Sequence, residues 1–121
     1  MGEGAPPADA LRERLAGALS TAMKDRDTIA VATLRCLLSA LDNAGAVAET
    51  KEHAPVFGRS GDVPRRELTL ADIERVFAAE AVERETAAAD YERRGLREGA
   101  ERLRAELAII ARFGPGDLAD G

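Results

Sequence analysis

The sequence predicts an all-α protein, a four-helix bundle made of two helical hairpins joined by a long loop, with no sheet. Three observations predict it. Alanine supplies 25 of the 55 apolar residues, and alanine has the best helix propensity while letting helices approach closely. Valine and isoleucine together number only ten, and no run alternates with period two over a strand's length. Finally, the stretch from Leu68 to Phe113 carries its own start, corner and stop signals.

Taken in order, residues 1–8, MGEGAPPA, are rich in Gly, Pro and Ala and read as a disordered N-terminus. Asp9 fits an N-cap, and Leu11, Leu15, Leu19, Ala22 and Met23 recur at helical spacing to give a first amphipathic helix. Lys24-Asp25-Arg26-Asp27 breaks it. Asp27 can cap a second helix carrying Ile29, Val31, Leu34, Leu37, Leu38 and Leu41, the most apolar of the four and so the central one. Asn43-Ala44-Gly45 ends that helix, and residues 46–67, with prolines at 55 and 64 and glycines at 58 and 61, read as a long loop pinned by Val56-Phe57. Thr69 and Asp72 then form a capping box, flanked by Leu68 and Ile73 at the staple positions. Arg94-Gly95-Leu96 closes the third helix with Gly95 left-handed and Leu96 placed against Tyr91. Leu96, Ala100, Leu103, Leu107 and Ile110 make the apolar stripe of the fourth helix, which Gly114-Pro115 stops. One helical domain over residues 9–113 results, followed by a disordered tail, 114–121.

Composition narrows the function. At 121 residues the chain holds one core. A net charge of −5, with no segment of positive sign, argues against coating nucleic acid or binding anionic membranes over the whole surface, so any phosphate must meet a local patch. The pairs Glu80 with Arg84, Asp90 with Arg94 and Glu98 with Arg102 stand four apart, acid first, and read as solvated surface. A lone Cys36 makes no intramolecular disulfide, no Cys/His set has metal-ligand spacing, and no apolar run of membrane-spanning length or signal-peptide core is read. The expectation is a cytoplasmic protein without metal or cofactor.

Catalytic apparatus is equally hard to find. A glutamine amidotransferase needs a nucleophile within reach of activating groups, and a ligase needs a phosphate cradle with magnesium ligands. Cys36 lies among apolar neighbours in LRCLLSAL and reads as a packed helix residue; the single histidine, His53, falls in the loop; neither a Walker-type loop nor GxGxxG occurs. The expectation is a protein that is not an enzyme.

Several stretches in order, LAGALSTAMKDRD, TLRCLLSALDNA and then RELTLADIERVF onward, resemble the GatB/YqeY family. The positions that carry the resemblance are Ala22-Met23-Lys24, Leu34-Arg35, Ser39-Ala40, Asn43, Leu68-Thr69, Glu80, Arg84, Tyr91-Glu92 and Gly95. Where that pattern runs Gly-Arg at the corner, this chain has Gly95-Leu96-Arg97. The family pattern continues into a further small helical subdomain, so the chain resembles the first subdomain alone.

The resemblance implies an all-helical accessory module, found also at the tail of the B subunit of glutamine-dependent tRNA amidotransferases and appended to some aminoacyl-tRNA synthetases. There it is associated with tRNA contact and carries no catalytic residues; an amidotransferase or carbon–nitrogen ligase label would be inherited from those larger enzymes. The implied partners are tRNA and the synthetase or amidotransferase subunit that holds it. Contact candidates are Arg65 and Arg66, just before a helix N-terminus, and Arg93, Arg94 and Arg97 around Gly95. With one Tyr and three Phe, contact would be made to backbone and shape rather than to bases. The alternative is a protein-interaction module, or a homo-oligomer, docking through Leu103, Leu107 and Ile110 on the fourth helix.

Overall fold

A computed structural model describes residues 7–52 and 67–115. It contains four helices, α1 (Pro7–Lys24), α2 (Thr28–Glu52), α3 (Leu70–Arg93) and α4 (Arg97–Arg112), and no strand among the described residues. α1 packs chiefly on α2 and α3 on α4, giving two hairpins, while α2 touches all three other helices. The fold is the all-α bundle expected, with α2 at its centre.

Local chemistry sets the ends. At α3 the Thr69 hydroxyl accepts from the Asp72 backbone N–H at 3.1 Å and an Asp72 carboxylate oxygen accepts from the Thr69 N–H at 2.9 Å, a complete capping box. Leu68 and Ile73, flanking it, are both buried. At the other end Leu96 N–H donates to the Tyr91 carbonyl at 2.8 Å and Gly95 N–H to the Glu92 carbonyl at 3.0 Å, with Gly95 at φ 74. That is the Schellman closure.

The α1–α2 corner uses the same device without glycine. Asp27 N–H donates to the Ala22 carbonyl at 3.0 Å and Arg26 N–H to the Met23 carbonyl at 3.2 Å, which leaves Arg26 at φ 58. Asp27 then caps α2 by accepting from Ala30 N–H at 3.1 Å.

Leu11 and Leu15 from α1, Leu34, Leu37 and Leu41 from α2, Leu68, Ile73 and Phe77 at the start of and along α3, and Ile110 and Phe113 from the fourth-helix segment are part of one core. The chain end of α4 is clamped to α1: Arg14 donates to the Arg112 carbonyl at 3.3 Å, and its guanidinium lies 5.1 Å from the centre of the Phe113 ring.

Four expectations need correction. α1 begins at Pro7, so Asp9 lies in its first turn rather than capping it, and Ala8 is buried instead of belonging to a disordered end. Proline suits that first position because its missing N–H has no helical partner there anyway. α2 does not end at Asn43-Ala44-Gly45 but runs to Glu52, so residues 46–52 are helix and not loop. The run AVAETKE is rich in strong helix formers, and a mid-helix glycine costs only about 1 kcal/mol. Cys36 is exposed, because a step of two residues from Leu34 carries it to the side of α2 opposite the buried leucines. And Thr28–Ala46 does have the length and composition to cross a membrane. A core helix passes the same test, and Leu34, Leu37 and Leu41 face the bundle here. Val56-Phe57 and the rest of 53–66 lie outside the described residues.

Candidate functional site

Two surfaces have chemistry. The first is the α3–α4 corner. Arg93 and Arg94 are well exposed, but both reach the Asp90 carboxylate, at 3.2 and 3.4 Å. Beside them Arg104 pairs with Glu92. Arg97 makes no ion pair among the described residues, and Leu96, which precedes α4 at the N-cap, supplies no side-chain cap. A shallow recess of about 480 Å³ is lined here by Glu92, Gly95, Arg97, Ala100, Glu101 and Arg104, two arginines against two glutamates. The corner gathers Arg93, Arg94 and Arg97 as the sequence proposes, yet it is nearly neutral.

The second surface is an open groove of about 610 Å³ between α2 and α3. Arg35, Cys36, Ser39 and Asn43 line it from α2, and Glu80, Glu83 and Arg84 from α3. Its floor is anchored by Arg84. The guanidinium donates through Nε to Glu106 of α4 at 2.8 Å, and through a terminal nitrogen to the Glu80 carboxylate at 2.8 Å and the Glu80 carbonyl at 3.0 Å. Arg102 adds a longer contact to Glu106, at 3.4 Å. The side chains of Arg84, Glu106 and Glu80 are only 10%, 15% and 23% exposed. Burial by itself would lower the arginine's pKa, but the bonds to Glu80 and Glu106 outweigh it and the net shift is upward. The guanidinium is therefore fixed as a cation that ties α3 to α4 while closing the groove.

This corrects the reading of Glu80 and Arg84 as solvated surface. Arg84 shares a helical face with the buried Ile73, Phe77 and Ala88, and that spacing was the signal that it points inward. Its partner Glu106, 22 residues away, had no local signal at all.

The remaining sequence candidates are dispersed. Ile110 is buried in the protein's own core, which removes it from any docking face, whereas Leu103 and Leu107 are half-buried on α4. Arg65 and Arg66 lie outside the described residues. No group of His, Cys, Asp and Glu among the described residues could hold a metal ion.

Comparison with known families decides the kinship. The family model described as "Yqey-like protein" matches residues 12–121. The chain belongs to the YqeY-like family. No curated protein matches it. In this YqeY-like chain two sets stand out among the residues that carry the family resemblance. Leu68-Thr69 and Gly95 make the start and the end of α3. Arg35, Ser39, Ala40, Asn43, Glu80 and Arg84 instead line the α2–α3 groove.

Proposed function

We propose that this YqeY-like protein is a non-catalytic accessory module of the cytoplasm, supporting tRNA aminoacylation or glutamine-dependent tRNA amidation by contacting tRNA or the enzyme that holds it. What carries the reading is membership of the YqeY-like family across most of the chain. The exposed guanidiniums of Arg93, Arg94 and Arg97 on one corner are compatible with it. They offer a backbone-directed contact, since phosphates take charge and shape from such a cluster while base reading needs more.

The test is a fluorescence-anisotropy titration with bulk tRNA at low salt. The expected result is binding that weakens on charge reversal at Arg93, Arg94 and Arg97, or at Arg65 and Arg66. An absence of binding, or binding indifferent to all five reversals, ends the direct-contact version. A protein-interaction role is the second reading, favoured by the pairing of Arg93 and Arg94 with Asp90, which leaves the corner close to neutral.

A further inference from the structure

An open groove of about 550 Å³ runs from the α1–α2 corner along the start of α2 and is lined by Met23, Arg26, Thr28, Val31, Ala32 and Arg35. Its floor is aliphatic, with Met23 51% exposed and Val31 half-buried. Arg26 and Arg35 supply its charge, and no carboxylate is among the residues that line it.

Two features set these arginines apart. In a chain of net charge −5 the other cations find acids readily: Arg12, Arg75, Arg93, Arg94 and Arg104 each pair with a carboxylate. Arg26 and Arg35 make no ion pair among the described residues. Of the acids nearby, Asp27 is engaged with Ala30 N–H as the cap of α2, while Asp25 and Glu83 form no ion pair with either arginine. Arg26 in addition holds φ 58, a left-handed backbone that strains an arginine and would cost glycine nothing. A strained position that keeps a long cationic side chain beside an apolar groove points to a use for that side chain.

We propose that this groove docks an acidic, aliphatic peptide segment of a partner protein, with one large aliphatic side chain on the Met23–Val31 floor and a carboxylate on either side of it, one for Arg26 and one for Arg35. Complementarity selects this occupant. The exposed floor gains from apolar cover, and two cations without acids of their own gain from carboxylates. A nucleic-acid backbone would meet the charges but leave the floor unused, and no aromatic side chain lines the groove for a base to stack on. From Thr28 to Arg35 the helix rises about 10.5 Å. An extended chain covers that length in about three residues, so the two carboxylates stand three apart with the aliphatic residue between them. The inference does not depend on the tRNA reading, whose described arginines lie at the α3–α4 corner.

The test is a ¹H–¹⁵N chemical-shift titration of the full chain at low salt with the blocked peptide Gly-Asp-Leu-Leu-Asp-Gly. Saturable shifts at the amides of Met23, Val31 and Ala32 are expected, with a Kd on the order of 1 mM. Replacing both aspartates of the peptide by asparagine, or both leucines by glycine, should weaken binding about fivefold or more. Arg26→Glu and Arg35→Glu should each weaken it about fivefold, and the double variant should instead take the peptide Gly-Lys-Leu-Leu-Lys-Gly. Arg26→Gly separates use from structure: the variant should unfold at higher urea than the parent and yet bind the acidic peptide about threefold more weakly. No saturable shift in the millimolar range, or equal binding of the asparagine peptide, overturns the proposal. So does an Arg26→Gly variant that binds as well as the parent. Shifts at the same amides that grow with protein concentration alone would give the groove to a second copy, and stronger shifts there with oligouridylate would give it to nucleic acid; either result also overturns it.

Discussion

Replacing Glu106 with glutamine asks whether the arginine beneath the groove is structural. The substitution keeps shape and leaves an oxygen able to accept from Arg84 Nε, so it removes charge and little else. A hydrogen bond to a charged group contributes about 1.5–3 kcal/mol. The Arg84 and Glu106 side chains are 10% and 15% exposed, so solvent screening discounts that value only slightly. Because glutamine retains the hydrogen bond, only the difference between a charged and a neutral partner is lost, about 1 kcal/mol. In a domain of this size that lowers the melting temperature by about 4 °C.

Arg84→Met should cost more, about 3 kcal/mol, since it leaves two carboxylates facing each other without their shared cation. Arg84→Met combined with Glu106→Leu should recover part of that loss. Thermal and urea unfolding followed by circular dichroism reads all of these. The contribution should also survive added salt, unlike that of the exposed pairs at Asp90. If Glu106→Gln stays within about 0.5 kcal/mol of the parent, as surface changes usually do, the ion triad is not what joins α3 to α4.

Four further outcomes follow from local geometry. The Thr69 backbone N–H, with help from the Thr69 and Arg75 side chains, outweighs burial and holds the Asp72 carboxyl below its ordinary value. That contribution is complete above the unfolded pKa and vanishes as pH falls through the lower folded one, so Asp72→Asn should be less stable than the parent at neutral pH, by a margin that shrinks as pH falls through the folded pKa. Arg26→Gly should stabilise the monomer by about 0.5–1 kcal/mol, because a left-handed arginine is strained, and Gly95→Ala should destabilise it by about 1 kcal/mol for the same reason; denaturant midpoints decide both. A Cβ on Gly99 would overlap the Tyr91 ring, so Gly99→Ala should lose about 1 kcal/mol despite alanine's better helix propensity. In a Tyr91→Ala background the same change should become stabilising.

What could be read in the sequence was whatever the backbone decides locally. The Thr69–Asp72 box, the Gly95 closure and the Asp27 cap each depend on residues within five positions of one another, and each forms as expected. Sequence and structure part where a local rule meets a long-range one. Gly45 looked like a stop, but the helix formers after it carry α2 on to Glu52. Cys36 sits among leucines in the sequence and opposite them in space. Arg84 and Glu106 meet only because the α3–α4 corner folds the two helices back on each other, and no period within either helix encodes that meeting. At the groove, the family-like residues were named individually, while their convergence from α2 and α3 needed the fold.

Charge compensation at the α3–α4 corner makes the tRNA reading more specific than a count of arginines suggests. A phosphate approaching Arg93 or Arg94 must displace the Asp90 carboxylate that already holds both. The gain is then a difference between two ion pairs, one of them intramolecular. Arg97 has no such competitor among the described residues, and it stands in the first turn of α4, where the free N–H groups of an N-terminus without a side-chain cap also attract an anion. Under that reading Arg97→Glu should cost more tRNA affinity than Arg93→Glu, and neutralising Arg97 should reduce the slope of log affinity against log salt by about one unit. Neutralising Arg93 should change that slope less, because Arg93 is already paired with Asp90. Equal losses at the two positions would mean that the Asp90 pairs open freely in solution, and the arginines would then have to be counted as one undifferentiated patch.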